Sequence, residues 1–205
     1  MCGIVGYIGN KKASPILING LLRLEYRGYD SAGISTVEKT GLSIMKDKGR
    51  VKNLYNLPGR DDLEGTIGIA HTRWATHGKP SKENSHPHMD NGYAFYSQTE
   101  TEVIPNLIDY YYKKENKTGI DKFLNSVQNA CNDLKGSFAL EIICSDYSDK
   151  MIVVRKDSPL VIGKGDNENF ISSDIPAILS FTREFYLLDD LEYVVLSRDS
   201  AQFYD

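Results

Sequence analysis

The chain has 205 residues, a length that allows one large domain or two small ones, each with a sizeable core. Its formal charge of −4, with no basic tract, argues against a nucleic-acid partner, and no apolar run approaches the ~18 residues that span a bilayer. Three cysteines without framework spacing point to reduced thiols and a cytoplasmic protein.

The chain starts Met1-Cys2-Gly3-Ile4-Val5-Gly6-Tyr7-Ile8-Gly9. Small residues behind Met1 would let an aminopeptidase remove it. Cys2 would then carry a thiol and a free α-amine, a nucleophile with its own base, because a terminal amine titrates at about 8. The run Ile4 to Ile8 reads as a buried strand that fixes this terminus. The bland alternative is an incidental cysteine on a frayed end.

A first helix is expected with Ser14 as N-cap, Pro15 at its first position, Ile16, Leu17, Leu21 and Leu24 on one face, and Gly28 as its stop. Ala32 to Val37 and Leu42 to Lys46 read as strands joined by a turn at Lys39-Thr40-Gly41. A strand at Thr66 to Ala70 delivers the polar and aromatic stretch His71-Thr72-Arg73-Trp74-Ala75-Thr76-His77-Gly78. Residues 79–91 read as loop. A second helix follows, with Thr101 preferred as N-cap over Thr99 so that Pro105 stays in the first turn. A third helix carries Ile120, Phe123, Leu124, Val127, Cys131 and Leu134 and stops at Gly136. From Phe138 the pattern turns to strands: 138–144, 151–154, 160–162, 170–171 and 193–196. Helices between two groups of strands argue α+β with packed sheets in one domain. Cys131 and Cys144 fall in apolar patterns and read as core.

Arg73, just beyond a buried strand and close to Thr76 and His77, has the fork geometry to clamp a small carboxylate; a structural ion pair is the alternative. Trp74 reads as core or as a lid over a ligand. The four histidines, His71, His77, His86 and His88, lack zinc-type spacing, so no metal is expected, and no cofactor motif is present. Gly163-Lys164-Gly165 has neither P-loop nor dinucleotide spacing, and no G-x-S-x-G elbow exists.

Three stretches together, Met1 to Gly9, Leu24 to Ile34 (LEYRGYDSAGI) and His71 to Gly78, resemble the glutaminase domain of the glucosamine-6-phosphate synthases. Asn84-Ser85-His86-Pro87-His88, Thr99 to Ile104, Ser158 to Gly163 and Asn169 to Asp174 fit as well, so the resemblance runs from Cys2 to nearly Asp205. It implies a class II glutamine amidotransferase domain over residues 2–205. The implied fold is that of N-terminal-nucleophile hydrolases, a four-layer α/β/β/α sandwich. It further implies hydrolysis of L-glutamine to glutamate and ammonia through a Cys2 thioester. In the full-length enzymes that ammonia converts fructose 6-phosphate to glucosamine 6-phosphate on an isomerase domain, the expected partner, which is absent here. By motif, Cys2 is the nucleophile; Arg73, Thr76, His77 and Glu100 bind glutamine; Trp74 gates ammonia; Arg27 and His86 support the pocket. A degenerate domain that binds glutamine or a partner without turnover is the alternative.

The sequence departs from the pattern twice. Glu100 stands where aspartate is usual. A family segment of a few tens of residues, with the Asn-Gly pair of the oxyanion hole, is missing between about residues 88 and 93. The expectation is that these residues are either unresolved or deleted, and the oxyanion donor is left unassigned.

Overall fold

The computed structural model describes residues 1–205. Its eleven strands and three α-helices follow the order β1 (Gly3–Ile8), α1 (Ala13–Arg23), β2 (Ser31–Glu38), β3 (Gly41–Lys48), β4 (Ile67–Arg73), α2 (Val103–Lys114), α3 (Gly119–Asp133), β5 (Phe138–Ile143), β6 (Met151–Lys156), β7 (Val161–Lys164), β8 (Asn169–Ser172), β9 (Glu184–Leu187), β10 (Tyr193–Leu196) and β11 (Ala201–Tyr204). Short 3-10 turns link several of them.

Two antiparallel sheets form. One has seven strands in the order β3-β2-β4-β1-β8-β7-β9, the other four in the order β11-β10-β6-β5. Period-2 alternation explains how they stack. In β1, Val5 and Tyr7 face a core shared with Leu17, Leu21 and Leu24 of the α1 region. Ile8, on the opposite face, joins Met151 and Val153 of β6 and Val194 and Leu196 of β10 in a core between the sheets. The alternate residues Ile152, Val154 and Val195 face Phe123, Leu124 and Val127 of α3 and Ile108 of α2. Three separate cores mean four layers, helix, sheet, sheet, helix, as expected. No helix is long and apolar enough to cross a membrane.

Most elements fall where the sequence pattern places them, and the exceptions have physical causes. α1 begins at Ala13, not after a Ser14 cap. The Ala13 amide donates to the Gly65 carbonyl at 2.8 Å, so a tertiary bond does the work of the cap, and Ser14 is buried. The helix also ends at Arg23, and successive turns carry the chain on to Gly28. Thr101 is not the N-cap of α2: a 3-10 turn at Glu100–Glu102 precedes it, and the helix starts at Val103 with Pro105 in its first turn. The Glu102 carboxylate accepts bonds from the amides of Tyr96 (3.0 Å) and Ser97 (2.7 Å) and from Ser97 Oγ (2.6 Å), tying the loop to the helix start. β9 and β11 had no sequence signal because both are edge strands with mostly exposed side chains. Cys131 is buried, whereas Cys144 at the end of β5 is only half-buried; all three cysteines are free.

Between His88 and α2 the amides of Asn91 (3.4 Å) and Tyr93 (3.1 Å) donate to Asn106 Oδ1 on α2.

Candidate active site

Cys2 precedes β1, which lies between β4 and β8 in the middle of the larger sheet. Gly3 is paired with Thr72, so the start of β1 and the end of β4 lie side by side. This places Cys2 against the residues that follow β4. The Trp74 amide donates to Cys2 Sγ at 3.5 Å, and the thiol lies 3.9 Å from the Trp74 carbonyl. From the other side, Arg27 Nε donates to the Cys2 carbonyl at 3.0 Å. Arg27 is itself held 3.6 Å from Asp174, which also accepts from the Tyr26 hydroxyl.

The turn after α1 presses directly on this strand end. A Cβ on Gly28 would come within 2.6 Å of the Arg73 carbonyl carbon and 2.9 Å of the Trp74 nitrogen, so only glycine allows the approach. Asp30 completes the junction: its amide donates to the Arg73 carbonyl (3.0 Å), and its carboxylate accepts from the Ala75 amide (2.6 Å).

Arg73 is the last residue of β4 and only 4% exposed. Its Nη2 donates to the carbonyls of His77 and, at 2.9 Å, Gly78. Its Nη1 is buried without any partner. Nothing acidic pairs with it, so the structural ion pair foreseen as the alternative is not there. A buried guanidinium with one terminal NH2 unpartnered is a costly arrangement unless a ligand oxygen completes it.

Near Arg73 stand three imidazole rings. The His71 and His86 rings stack at 4.2 Å between centroids, and His88 meets His86 edge-on at 4.6 Å. His86 Nε2 bonds Thr101 Oγ1, and His88 Nε2 lies 2.9 Å from Thr99 Oγ1. Burial, with the positive charge of Arg73 adding to it, lowers the His71 pKa to about 3. Burial and the Lys46 charge lower that of His88 to about 4. Burial and the neighbouring imidazoles push His86 well below the usual value. All three rings are neutral packing groups at physiological pH. No group of His, Cys, Asp or Glu here has the arrangement that would hold a metal ion. The loop that carries His86 and His88 includes a cis His86–Pro87 bond and is anchored by Lys46 Nζ, which donates to the carbonyls of Ser85 (2.7 Å) and Pro87 (3.1 Å).

Cys2, Arg27, Arg73, Trp74, Thr76, His77, His86 and Glu100 all line one cavity of about 540 Å³. The residues singled out from the sequence therefore border a common cavity. Within it the residues differ. Trp74 is 44% exposed and meets Tyr29 edge-to-face at 5.6 Å, so it is not a core residue. Thr76, His77 and Glu100 are exposed, and Arg73 donates to the backbone carbonyl of His77, not to its ring. Sequence reasoning missed Asp30, Asp174 and Thr101, which position Ala75, Arg27 and His86. Asp30 and Asp174 lie inside the motifs that carried the resemblance, but their partners are far away in sequence.

The chain is similar to known proteins in both sequence and fold. No family model matches the chain. A glutamine–fructose-6-phosphate aminotransferase (isomerizing) from Clostridium perfringens is 48% identical over 230 aligned positions, covering 100% of this chain and 37% of the relative. Proteins of the same name from Gloeobacter violaceus and Thermococcus kodakarensis are 45% and 43% identical, over 100% and 98% of the chain. The chain thus spans little more than a third of the length of the curated relatives it matches. Among solved structures, the glutamine phosphoribosylpyrophosphate amidotransferase of B. subtilis superposes with a TM-score of 0.81 at 21% identity, over 99% of this chain and 49% of that one. A predicted glutamine amidotransferase from Pseudomonas aeruginosa superposes with a TM-score of 0.55 at 13% identity, over 98% of this chain and 94% of that one. Over its whole length the chain is thus similar in sequence to just over a third of the length of the proteins named glutamine–fructose-6-phosphate aminotransferase (isomerizing), and it has the fold of the solved glutamine amidotransferases.

Proposed function

We propose that this chain hydrolyses L-glutamine to glutamate and ammonia. The observation that carries the reading is that Cys2 and Arg73, whose Nη1 has no partner, line the same cavity. A thiol there has a carboxylate-binding group within the same enclosure, which is what an amide substrate with a free α-carboxylate needs. Once Met1 is removed, the Cys2 α-amine takes the thiol proton as sulfur attacks the amide carbon. It returns that proton to the departing ammonia, leaving a thioester that water cleaves to glutamate and free thiol. With Met1 attached, the same nitrogen is an amide and has no basic lone pair. Arg73 would hold the α-carboxylate, assisted by Thr76 and His77. Glu100 would face the α-amine from one methylene further out than an aspartate. Trp74 would gate the exit of ammonia, while Arg27 and His86 would shape the pocket. In a longer protein of the kind its relatives represent, the ammonia would pass to fructose 6-phosphate on an isomerase domain. That step would make an amino-sugar precursor in the cytoplasm.

One observation favours a second reading, a domain that binds glutamine without turning it over. The Clostridium perfringens relative aligns over 230 positions, against 205 residues here, so at least 25 positions of that alignment have no residue in this chain. If the missing stretch carries an oxyanion donor, its loss would cost about 3–4 kcal/mol, on the order of 10²–10³ in rate. Glutamate release from glutamine by the processed chain, compared with Cys2→Ala, decides between the two. Cys2-dependent release supports the hydrolase; glutamine binding without any release supports the second reading. Mass spectrometry of the intact chain shows whether Met1 is gone.

A further inference from the structure

The strand that follows Cys2 runs under the cavity. Successive residues of an extended chain face opposite sides, so Cys2, Ile4 and Gly6 share one face. That face looks toward the smaller sheet, because Ile4 packs with Ile8 in the core between the sheets. Cys2 and Ile4 both border the cavity. Four residues of extended chain put Gly6 about 13 Å from Cys2.

From the smaller sheet, Glu141 reaches down to Gly6. It is in register with Val153 of β6 on the inter-sheet face. A Cβ on Gly6 would lie 3.1 Å from its Cδ and 3.2 Å from its Oε1. Glu141 borders the same cavity as Cys2, yet its Oε1 is shut off from water and has no hydrogen-bond partner. The side chains around the carboxyl are apolar. Ala139 and Ile143 flank it on β5, and Ile69 and Ile171 lie opposite Gly6 on β4 and β8. Burial alone raises its pKa well above the usual value, with no neighbouring charge contributing. A buried acceptor with no partner is destabilising by the full cost of its desolvation.

These features select a ligand. The carboxyl calls for a hydrogen-bond donor, best a cation, small enough to sit between two sheets. A metal cation needs several oxygen ligands, and no group of three His, Cys, Asp or Glu is gathered to hold one. Ammonia is small, carries N–H donors and a basic lone pair, and is the product that the proposed reaction releases into this cavity.

We propose that Glu141 forms an ammonium site between the two sheets, loaded by ammonia from the Cys2 reaction. The ammonia lone pair takes the carboxyl proton: one O–H bond breaks, one N–H bond forms, and a charge-assisted ammonium–carboxylate pair replaces two neutral molecules. The inference deepens the proposed hydrolysis and rests on it for the source of the ammonia.

The test uses the full chain as Cys2→Ala at pH 7, so that turnover plays no part. The probe is ammonium chloride, with potassium chloride and tetramethylammonium chloride at matched ionic strength as controls. Potassium has the charge without a hydrogen to donate, and tetramethylammonium has the charge without an N–H. Ammonium should raise the melting temperature saturably, by about 4 °C at ten times its Kd, and neither control should match it. Glu141→Gln in the same background should abolish the ammonium-specific rise. Infrared difference spectra should show the protonated carboxyl band giving way to carboxylate bands as ammonium binds, and no such change in the glutamine variant. An equal rise with potassium overturns the proposal, as does a rise that survives Glu141→Gln, or no saturable rise at all. Any of these results alongside Cys2-dependent glutamate release removes the ammonium site alone. Ammonium binding without glutamate release from the Cys2 chain overturns the hydrolysis, and with it the source of the ammonia, but not the site.

Discussion

At Arg73 two roles meet in one guanidinium. Nη2 holds the 77–78 turn through two carbonyls, and Nη1 is buried without a partner. Lysine keeps the charge but not the fork, so it can serve one role only. Arg73→Lys should raise the KM for glutamine about tenfold or more, in line with ~1.5–3 kcal/mol for a charge-assisted bond, with a smaller change in kcat. Steady-state glutaminase kinetics check this; an unchanged KM would remove Arg73 from substrate binding. Glu100 gives the opposite sign. Shortening it to aspartate should lower KM if the extra methylene misplaces the carboxylate, and the same assay reads it. At this scale the site was legible where its residues are contiguous, as from Arg73 to His77. It was not legible where the partner is remote. Nothing local in the sequence pairs Asp174 with Arg27 or leaves Glu141 without a donor.

Elements are secured here by bonds that arrive from elsewhere in the chain, and that is why their boundaries were the least legible feature. α1 starts where the Gly65 carbonyl meets Ala13, and α2 starts where Glu102 gathers the amides of Tyr96 and Ser97. The interiors were plain because apolar periodicity is local: Phe123, Leu124, Val127 and Cys131 mark α3 whatever packs on it. Burial raises the Glu102 pKa, but the bonds from Ser97 Oγ and the two amides outweigh it and hold the carboxyl below the usual range. A carboxylate with a depressed folded pKa contributes stability above its unfolded pKa and loses it as pH falls. Glu102→Gln should therefore destabilise by about 1 kcal/mol at pH 7 and by less at pH 4, as read from urea midpoints at the two values. An equal effect at both would assign the residue a packing role only.

Across the whole molecule the buried titratable groups pull stability in opposite directions with pH. His71, His86 and His88 have pKa values lowered by burial, so the folded chain leaves them neutral where the unfolded chain protonates them. Between about pH 4 and 6.5 the unfolded state binds more protons, and stability rises with pH by up to about 1.4 kcal/mol per unit for each ring. Glu141 acts the other way. Burial raises its pKa well above the usual value, so the folded chain keeps a proton that the unfolded chain releases above about pH 4.5. Its contribution falls as pH climbs from there toward the folded pKa. Below about pH 6.5 three histidines outweigh one carboxyl, so stability should rise with pH there. Glu141→Gln removes the opposing carboxyl contribution, so in thermal melts the parent should lose stability relative to the variant as pH rises from 5. Parallel curves would mean that the Glu141 carboxyl is already satisfied in the folded chain and titrates alike in both states.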